Sequence, residues 1–164
     1  MSAEMVPVGL GELKVGESHR QTLVCYGLGS CIGLAVYDWT TSLGALVHVV
    51  LPESRLGRGQ EALPGKFADT AVPAIVGELV KAGAVRQCLV ARMAGGARML
   101  NVLGAGSKLD IGARNAEAVR AALQKEGVPL TADDTGGTYG RTLQLFVASG
   151  RLLVSTVGRG EREL

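Results

Sequence analysis

The sequence predicts an α/β protein in which a mixed β-sheet system is covered by two main helices. Short segments rich in Val, Leu, Ile and Tyr lie at residues 21–26, 32–38 and 44–51, and they are typical of strands. Residues 66–82 and 112–126 have an apolar period near 3.6, which predicts helices. The order is strands first, then helix, strand and helix, then strands again. This order fits a mixed sheet better than a strictly alternating doubly wound fold.

The remaining elements follow from the same patterns. Residues 6–15 alternate weakly and predict one short edge strand, and residues 87–93 predict a buried strand with Cys88 in the core. Pro73 disturbs the first helix least if it lies in the first turn. Further strands are predicted at residues 130–133, 141–148 and 151–157, and surface loops at residues 55–66 and 99–106.

The length predicts one domain spanning residues 1–164, and no cofactor is expected. The net charge is only +2 and no basic run occurs, so nucleic acid is a poor candidate partner. No apolar stretch reaches the ~18 residues that span a bilayer, so we expect no membrane insertion. The N-terminus lacks the pattern of a secretory signal, which favours a cytoplasmic protein, and a monomer is the default expectation.

The three cysteines are the main candidates for chemistry. Cys25, Cys31 and Cys88 are odd in number and form no CxxC pair, so neither a disulfide framework nor a zinc site is expected. Cys31 ends the glycine-rich turn GLGSC between two predicted strands, and His48 lies in the next strand. A histidine there can take the proton of an exposed thiol, which predicts a cysteine-dependent acyl-transfer enzyme. The plainer alternative is that both residues are ordinary core residues.

Six sequence blocks carry a resemblance to a known family. They are GLGSC at 27–31, GALVHVVLPES at 44–54, KFADTAVP at 66–73, AGGA at 94–97, IGARN at 111–115 and DTGGTYGR at 134–141. In this order and spacing, the chain resembles the CheD family, the chemoreceptor glutamine deamidases of bacterial chemotaxis. The resemblance implies a three-layer α/β domain that hydrolyses chemoreceptor glutamine side chains to glutamate and releases ammonia. It also implies a partner, the CheC phosphatase, which competes with receptors for the enzyme and is activated by binding.

The resemblance assigns roles to individual residues. It implies that Cys31 is the nucleophile and His48 the base. The third family position, usually a threonine six residues before the nucleophile, is Cys25 here. A thiol is a weak hydrogen-bond partner, so we expect Cys25 to orient the imidazole, if at all, through its main-chain carbonyl.

The glycines near Cys31 are candidate substrate-binding positions. Backbone N–H groups at Gly29, Ser30 and Cys31 are natural donors to an oxyanion, and an adjacent imidazolium would favour the thiolate. On the plainer interpretation, Gly95 and Gly96 only form turns. On the more specific interpretation, they also contact the substrate.

Two hypotheses of different kinds therefore stand at this point. The first is an enzyme that deamidates receptor glutamines, and that also hydrolyses receptor glutamate methyl esters, since both substrates pass through the same acyl-thioester. The second is a binding module that docks and activates CheC, with weak catalysis because of Cys25.

Overall fold

A computed structural model describes residues 2–57, 63–99 and 110–164. Within these ranges the chain forms ten strands and two α-helices. In chain order they are β1 (Glu4–Pro7), β2 (Leu13–Val15), β3 (Gln21–Leu28), β4 (Ile32–Asp38), β5 (Leu43–Val49), α1 (Ala68–Lys81), β6 (Leu89–Gly95), α2 (Ile111–Glu126), β7 (Leu130–Thr135), β8 (Arg141–Phe146), β9 (Leu152–Thr156) and β10 (Gly160–Glu163). Neither helix combines the length and the apolar character that a membrane span requires, as far as the described residues go.

The strands form two mixed sheets of five strands each. The first sheet has the order β1-β3-β8-β9-β10, and the second has the order β2-β5-β4-β6-β7. One pair in each sheet is parallel, β1 with β3 and β6 with β7, and the other pairs are antiparallel. The predicted mixed sheet system with two main helices is confirmed.

The layers are stacked in the order sheet, sheet, helices. The strand β4 shows why, since every one of its residues is buried. Ile32, Leu34 and Val36 belong to the core beneath the helices, whereas Ala35 and Tyr37 belong to the core between the sheets. A strand buried on both faces must be apolar on both, which explains the continuous apolar run in the sequence.

The helices begin and end at recognisable residues. The carboxylate of Asp110 accepts a hydrogen bond from the N–H of Ala113 (3.0 Å) and caps α2, and Gly127 ends it with a φ of 72°. The apolar face of α1, including Ala71, Ile75 and Leu79, is fully buried. Pro73 lies in the second turn of α1, on the exposed face, and not in the first turn, where it would disturb the helix least.

Residues 6–15 do not form one strand. They contribute to β1 in the first sheet and to β2 in the second, so the chain crosses between the sheets here. Pro7 at the end of β1 and Gly11, with a φ of 77°, lie in and beside the crossing. The weak alternation in the sequence could not show that the two halves pair with different partners.

Two further features differ from what the sequence indicates. Cys88 is not in the core but partly exposed, in the short 3₁₀ turn Arg86–Cys88 that precedes β6. The strand β10 was not predicted, because all four of its residues are exposed and it has no apolar alternation. Much of the predicted loops at 55–66 and 99–106 falls on residues 58–62 and 100–109, outside the described residues.

Candidate active site

Cys31 ends a three-residue turn, Gly29 to Cys31, which carries the chain from β3 in the first sheet to β4 in the second. We call this segment the Cys31 turn. A bulge interrupts the pairing of β3 with β8 between Cys25 and Leu28, and Gly27 has a φ of 61° there. The bulge redirects the strand end toward the second sheet. The three residues of the turn are partly exposed, as access to the thiol requires.

Each carbonyl of the Cys31 turn accepts a hydrogen bond. The carbonyl of Gly29 accepts from the N–H of Ala97 (2.8 Å), and that of Cys31 accepts from the N–H of Gly96 (2.9 Å). Between them, the carbonyl of Ser30 accepts from Nδ2 of Asn115 (2.9 Å). Three consecutive peptide groups are therefore fixed in orientation.

His48 lies on β5, the neighbour of β4, so the two predicted residues belong to adjacent strands. His48 pairs directly with Gly33, two residues after Cys31. Side chains of residues two apart on a strand point to the same face, so Cys31 and His48 occupy diagonal positions. Diagonal neighbours have Cβ atoms about 7–8 Å apart or somewhat less, within reach of an imidazole ring. The register thus places Cys31 and His48 at neighbouring positions of adjacent chain segments, and their joint role in catalysis stays a prediction.

The imidazole of His48 is held in one tautomer. Its Nδ1 lies 3.1 Å from the main-chain oxygen of Val8. A carbonyl can only accept, so Nδ1 carries the proton and donates. Nε2 is then an unprotonated acceptor, and it is buried with no hydrogen-bond partner among the described residues. The ring therefore offers a free base on its Nε2 side.

The segment that crosses from β1 to β2 holds His48 in place through main-chain hydrogen bonds. The N–H of Gly11 donates to the carbonyl of His48 (2.9 Å), and the N–H of His48 donates to the carbonyl of Glu12 (3.0 Å). Val8 is itself fixed, because its N–H donates to Val24 on β3 (2.8 Å). The segment that the sequence presented as a plain edge strand thus orients the imidazole.

Burial shifts the pKa values of Cys31 and His48 in opposite directions. It raises the pKa of the Cys31 thiol and lowers the pKa of His48. The hydrogen bond to Val8 and the charge of Glu12 both raise the pKa of His48, but they do not cancel the lowering that burial causes. The structure consequently favours a neutral thiol beside a neutral imidazole in the free protein. It does not favour the thiolate held by an imidazolium that the sequence analysis considered.

Cys25 does not orient the imidazole. Its side chain is fully buried between the sheets, and a Cβ at Gly33 would lie 3.6 Å from its own. Burial, with a further contribution from Cys31, raises the pKa of Cys25 strongly. The carbonyl on Nδ1 is that of Val8, so the prediction that a carbonyl at position 25 serves this purpose is wrong.

Gly95 and Gly96 are buried and support the Cys31 turn. Both have positive φ, 118° and 63°, and a Cβ at Gly95 would lie 2.2 Å from the carbonyl oxygen of Cys31. Only glycine allows β6 to approach the turn this closely. Arg141, which is also buried, donates to the carbonyls of Gly95 (3.2 Å) and Gly136 (2.7 Å) and fixes the end of β6. Contact of either glycine with substrate remains a prediction.

Three residues of this arrangement were missed from the sequence: Val8, Asn115 and Arg141. Asn115 and Arg141 fall within blocks shared with the family, which is the one signal that could have drawn attention to them. The residue type of Val8 did not indicate its role, because Val8 contacts His48 through its main-chain carbonyl.

Comparison with known proteins tests the resemblance directly. A sequence model described as CheD, chemotactic sensory transduction, matches residues 50–156. The chain belongs to the CheD family. A CheD protein of Symbiobacterium thermophilum, named a probable chemoreceptor glutamine deamidase, is 66% identical over 157 residues, which cover 96% of this chain and 95% of that protein. The chemoreceptor glutamine deamidase CheD of Halalkalibacterium halodurans is 38% identical over 161 residues, which cover 98% of this chain and 99% of that protein. The suspected CheD resemblance is confirmed.

Proposed function

We propose that this CheD-family protein hydrolyses glutamine side chains of chemoreceptors to glutamate and releases ammonia. The names of its relatives support this substrate and reaction. The observation that carries the proposal is the free Nε2 of His48, buried and unpartnered among the described residues, on the strand beside Cys31. An unpaired buried acceptor is unfavourable for stability, and a role as proton acceptor explains why it is kept.

The proposed reaction uses the neutral pair. As Sγ of Cys31 attacks the amide carbon, Nε2 of His48 takes its proton, and the carbonyl oxygen becomes an oxyanion. The tetrahedral intermediate collapses, His48 returns the proton to the departing nitrogen, and ammonia leaves. His48 then takes a proton from water, which attacks the thioester and releases glutamate and the thiol. No metal ion or cofactor takes part in this scheme.

The oxyanion requires hydrogen-bond donors. We propose the N–H groups of Ser30 and Cys31, because the carbonyls of the same peptide groups are held on the opposite side. Loss of one such donor typically costs about 10²-fold or more in rate. A glutamate methyl ester forms the same acyl-thioester with methanol as the leaving group, so we propose receptor methyl esters as a second substrate class. The proposed deamidase domain spans residues 1–164.

The test is the reaction of a chemoreceptor cytoplasmic fragment with the purified protein. Ammonia release and the conversion of glutamine to glutamate, measured by mass spectrometry, report deamidation. We expect Cys31→Ala to abolish the activity and His48→Asn to lower kcat by about 10²–10⁴-fold. Cys88→Ala changes a partly exposed thiol outside the site and should retain the wild-type rate. Equal rates in the wild type and Cys31→Ala would refute the assignment of the nucleophile.

A second candidate function is a binding module that docks the CheC phosphatase. The observation that favours it is Cys25, which replaces the usual family threonine and is buried, while Nδ1 of His48 bonds to the carbonyl of Val8. The orientation of the ring by Val8 argues that catalysis survives this replacement.

We expect Cys25→Ala and Cys25→Thr to keep kcat within about 3-fold of the wild type, because neither change removes the bond to Val8. A drop of about 100-fold in the alanine variant would contradict this, and CheC binding by an inactive Cys31→Ala protein would show that docking is separate from catalysis.

A further inference from the structure

Asn115 makes two hydrogen bonds that join separate parts of the proposed site. Its side chain is fully buried, and Nδ2 donates to the carbonyls of Ser30 and Val50, both at 2.9 Å. Because both partners can only accept, the orientation of the amide is fixed by its neighbours. Oδ1 is left buried with no hydrogen-bond partner in the described part of the chain. An arrangement with an unpaired acceptor is not one that stability alone favours.

The helix that carries Asn115 packs closely against Gly96 and Ala97, the two residues whose N–H groups donate to the carbonyls of Cys31 and Gly29. Asn115 lies in the second turn of α2, and a Cβ at Gly112, in the first turn, would lie 2.5 Å from the carbonyl oxygen of Gly96 and 2.4 Å from that of Ala97. The backbone of α2 at Gly112 therefore packs directly on the backbone at Gly96 and Ala97. This close packing limits how far the amide of Asn115 can move from its two acceptors.

The bond to Ser30 fixes the direction of the Cys31 N–H. The two groups belong to one peptide unit, and in a planar trans peptide the C=O and N–H point in opposite directions. Asn115 draws the carbonyl of Ser30 toward α2, so the N–H of Cys31 points away from α2. The bond from Ala97 to Gly29 has the same effect on the N–H of Ser30. Neither N–H donates to a backbone acceptor within the described ranges.

The second bond of Asn115 reaches the strand of the base. Val50 directly follows β5 and lies two residues after His48. One side chain therefore fixes the nucleophile's turn and the end of the histidine's strand relative to each other.

We propose that Asn115 is the positioning residue of the oxyanion site, acting through the Ser30–Cys31 peptide group and without touching substrate. This inference rests on the proposed deamidase function. It predicts a specific defect, since turnover needs an oriented N–H whereas alkylation of the thiol does not. Displacement of iodide from iodoacetamide by sulfur develops no oxyanion.

The experiment compares Asn115→Ala and Asn115→Asp with the wild type. Both variants lose the NH₂ donor, and the aspartate keeps the size of the side chain. We expect kcat for the receptor fragment to fall by about 10–100-fold with KM within about 3-fold, and the rate of Cys31 alkylation to stay within about 3-fold. Val119→Ala is the matched control, a buried residue of the same helix that belongs to the core beneath the helices, and its kcat should be unchanged.

Several outcomes would overturn the inference. They are a kcat within about 2-fold of the wild type in folded Asn115→Ala, an equal loss of kcat in Val119→Ala, or a parallel fall of the alkylation rate and kcat. The backbone amide NMR signals of Ser30 and Cys31 add a readout that needs no activity. They should shift or broaden in Asn115→Ala, which removes the donor, and keep their positions in Val119→Ala, and unchanged signals in Asn115→Ala would refute the positioning role. A wild-type protein without deamidation would refute the proposed function, and the NMR comparison would still decide the role of Asn115.

Discussion

At the scale of single residues, the proposed chemistry depends on where the proton lies before substrate arrives. Burial raises the pKa of Cys31 and lowers that of His48, so both changes favour the neutral pair. A neutral imidazole with Nδ1 bonded to Val8 is ready to accept a proton on Nε2. In the proposed mechanism, the thiolate of Cys31 therefore forms as the sulfur attacks the substrate, while the oxyanion that develops on the substrate is stabilised.

This protonation state predicts two pH profiles. The rate of Cys31 alkylation by iodoacetamide should rise with pH around a midpoint above the ~8.5 of a free thiol, because the raised pKa delays thiolate formation. The acid limb of kcat/KM should have its midpoint below the ~6.5 of free imidazole, since His48 stays neutral to lower pH. Alkylation of Cys31, followed by mass spectrometry beside a cysteine peptide, measures the first. An alkylation midpoint well below ~8.5 would instead indicate a resting thiolate–imidazolium pair.

The same change in His48 has a consequence for stability. Its pKa in the folded protein lies below that in the unfolded chain, so the unfolded chain binds the proton first as the pH falls. Its contribution to the free energy of unfolding is therefore present above ~6.5 and decreases below that pH.

At the scale of the elements, the approach of β6 to the Cys31 turn is the tightest constraint on the site. Gly95 combines a φ of 118° with backbone contact, since a Cβ there would lie 2.2 Å from the carbonyl oxygen of Cys31. Main-chain oxygen cannot rotate away as a side chain can. The guanidinium of Arg141 also donates a hydrogen bond to the carbonyl of Gly95, so the end of β6 has little room to shift.

Gly95→Ala should therefore damage both stability and activity. Gly158→Ala is the matched control, because Gly158 also has a positive φ, 76°, but a Cβ there meets nothing within 4 Å. We expect the control to lose about 1–2 kcal/mol for the left-handed backbone, with unchanged kcat. Gly95→Ala should lose at least about 1–3 kcal/mol more and lower kcat by about 10-fold or more. Denaturant unfolding and the deamidation assay measure the two quantities, and equal behaviour of the two variants would show that the close contact does not constrain the site.

The crossing from β1 to β2 is the second element on which the site depends. It provides Val8 to the ring of His48 and Gly11 and Glu12 to its main chain. Val8 and Glu12 make these contacts through backbone groups, so many side chains would serve at these two positions, whereas the φ of 77° at Gly11 favours glycine. The residue types of Val8 and Glu12 consequently do not reveal their function.

At the scale of the whole molecule, the site lies where the two sheets meet at one end of β4 and β5. Gly33, the partner of His48, leaves room for Leu28 and Leu143 of the first sheet, since a Cβ there would lie 2.9 Å from a methyl carbon of each. His48 therefore pairs with a position at which the two sheets pack closely against each other. The strand β10 ends the first sheet with the exposed charges of Glu161, Arg162 and Glu163, a composition that opposes edge-to-edge association, and a monomer stays our prediction.

The sequence by itself determined the fold class and the family, and it singled out Cys31 and His48 as the proposed catalytic pair. Each depends on local information, namely the apolar period of a segment, a glycine-rich turn, or an ordered set of motifs. Since β4 and β5 are consecutive and joined by a short turn, their pairing also followed from the sequence.

Only the tertiary structure decided which group orients the imidazole, that Asn115 joins the turn to the histidine strand, and that Cys88 lies outside the core. These contacts link positions that are tens of residues apart, such as Asn115 and Ser30, and several of them end on main-chain carbonyls. Every residue has such a carbonyl, so residue types alone do not reveal which one is used. The same holds for the protonation of the pair, because burial is a property of the packed sheets and not of the residues themselves.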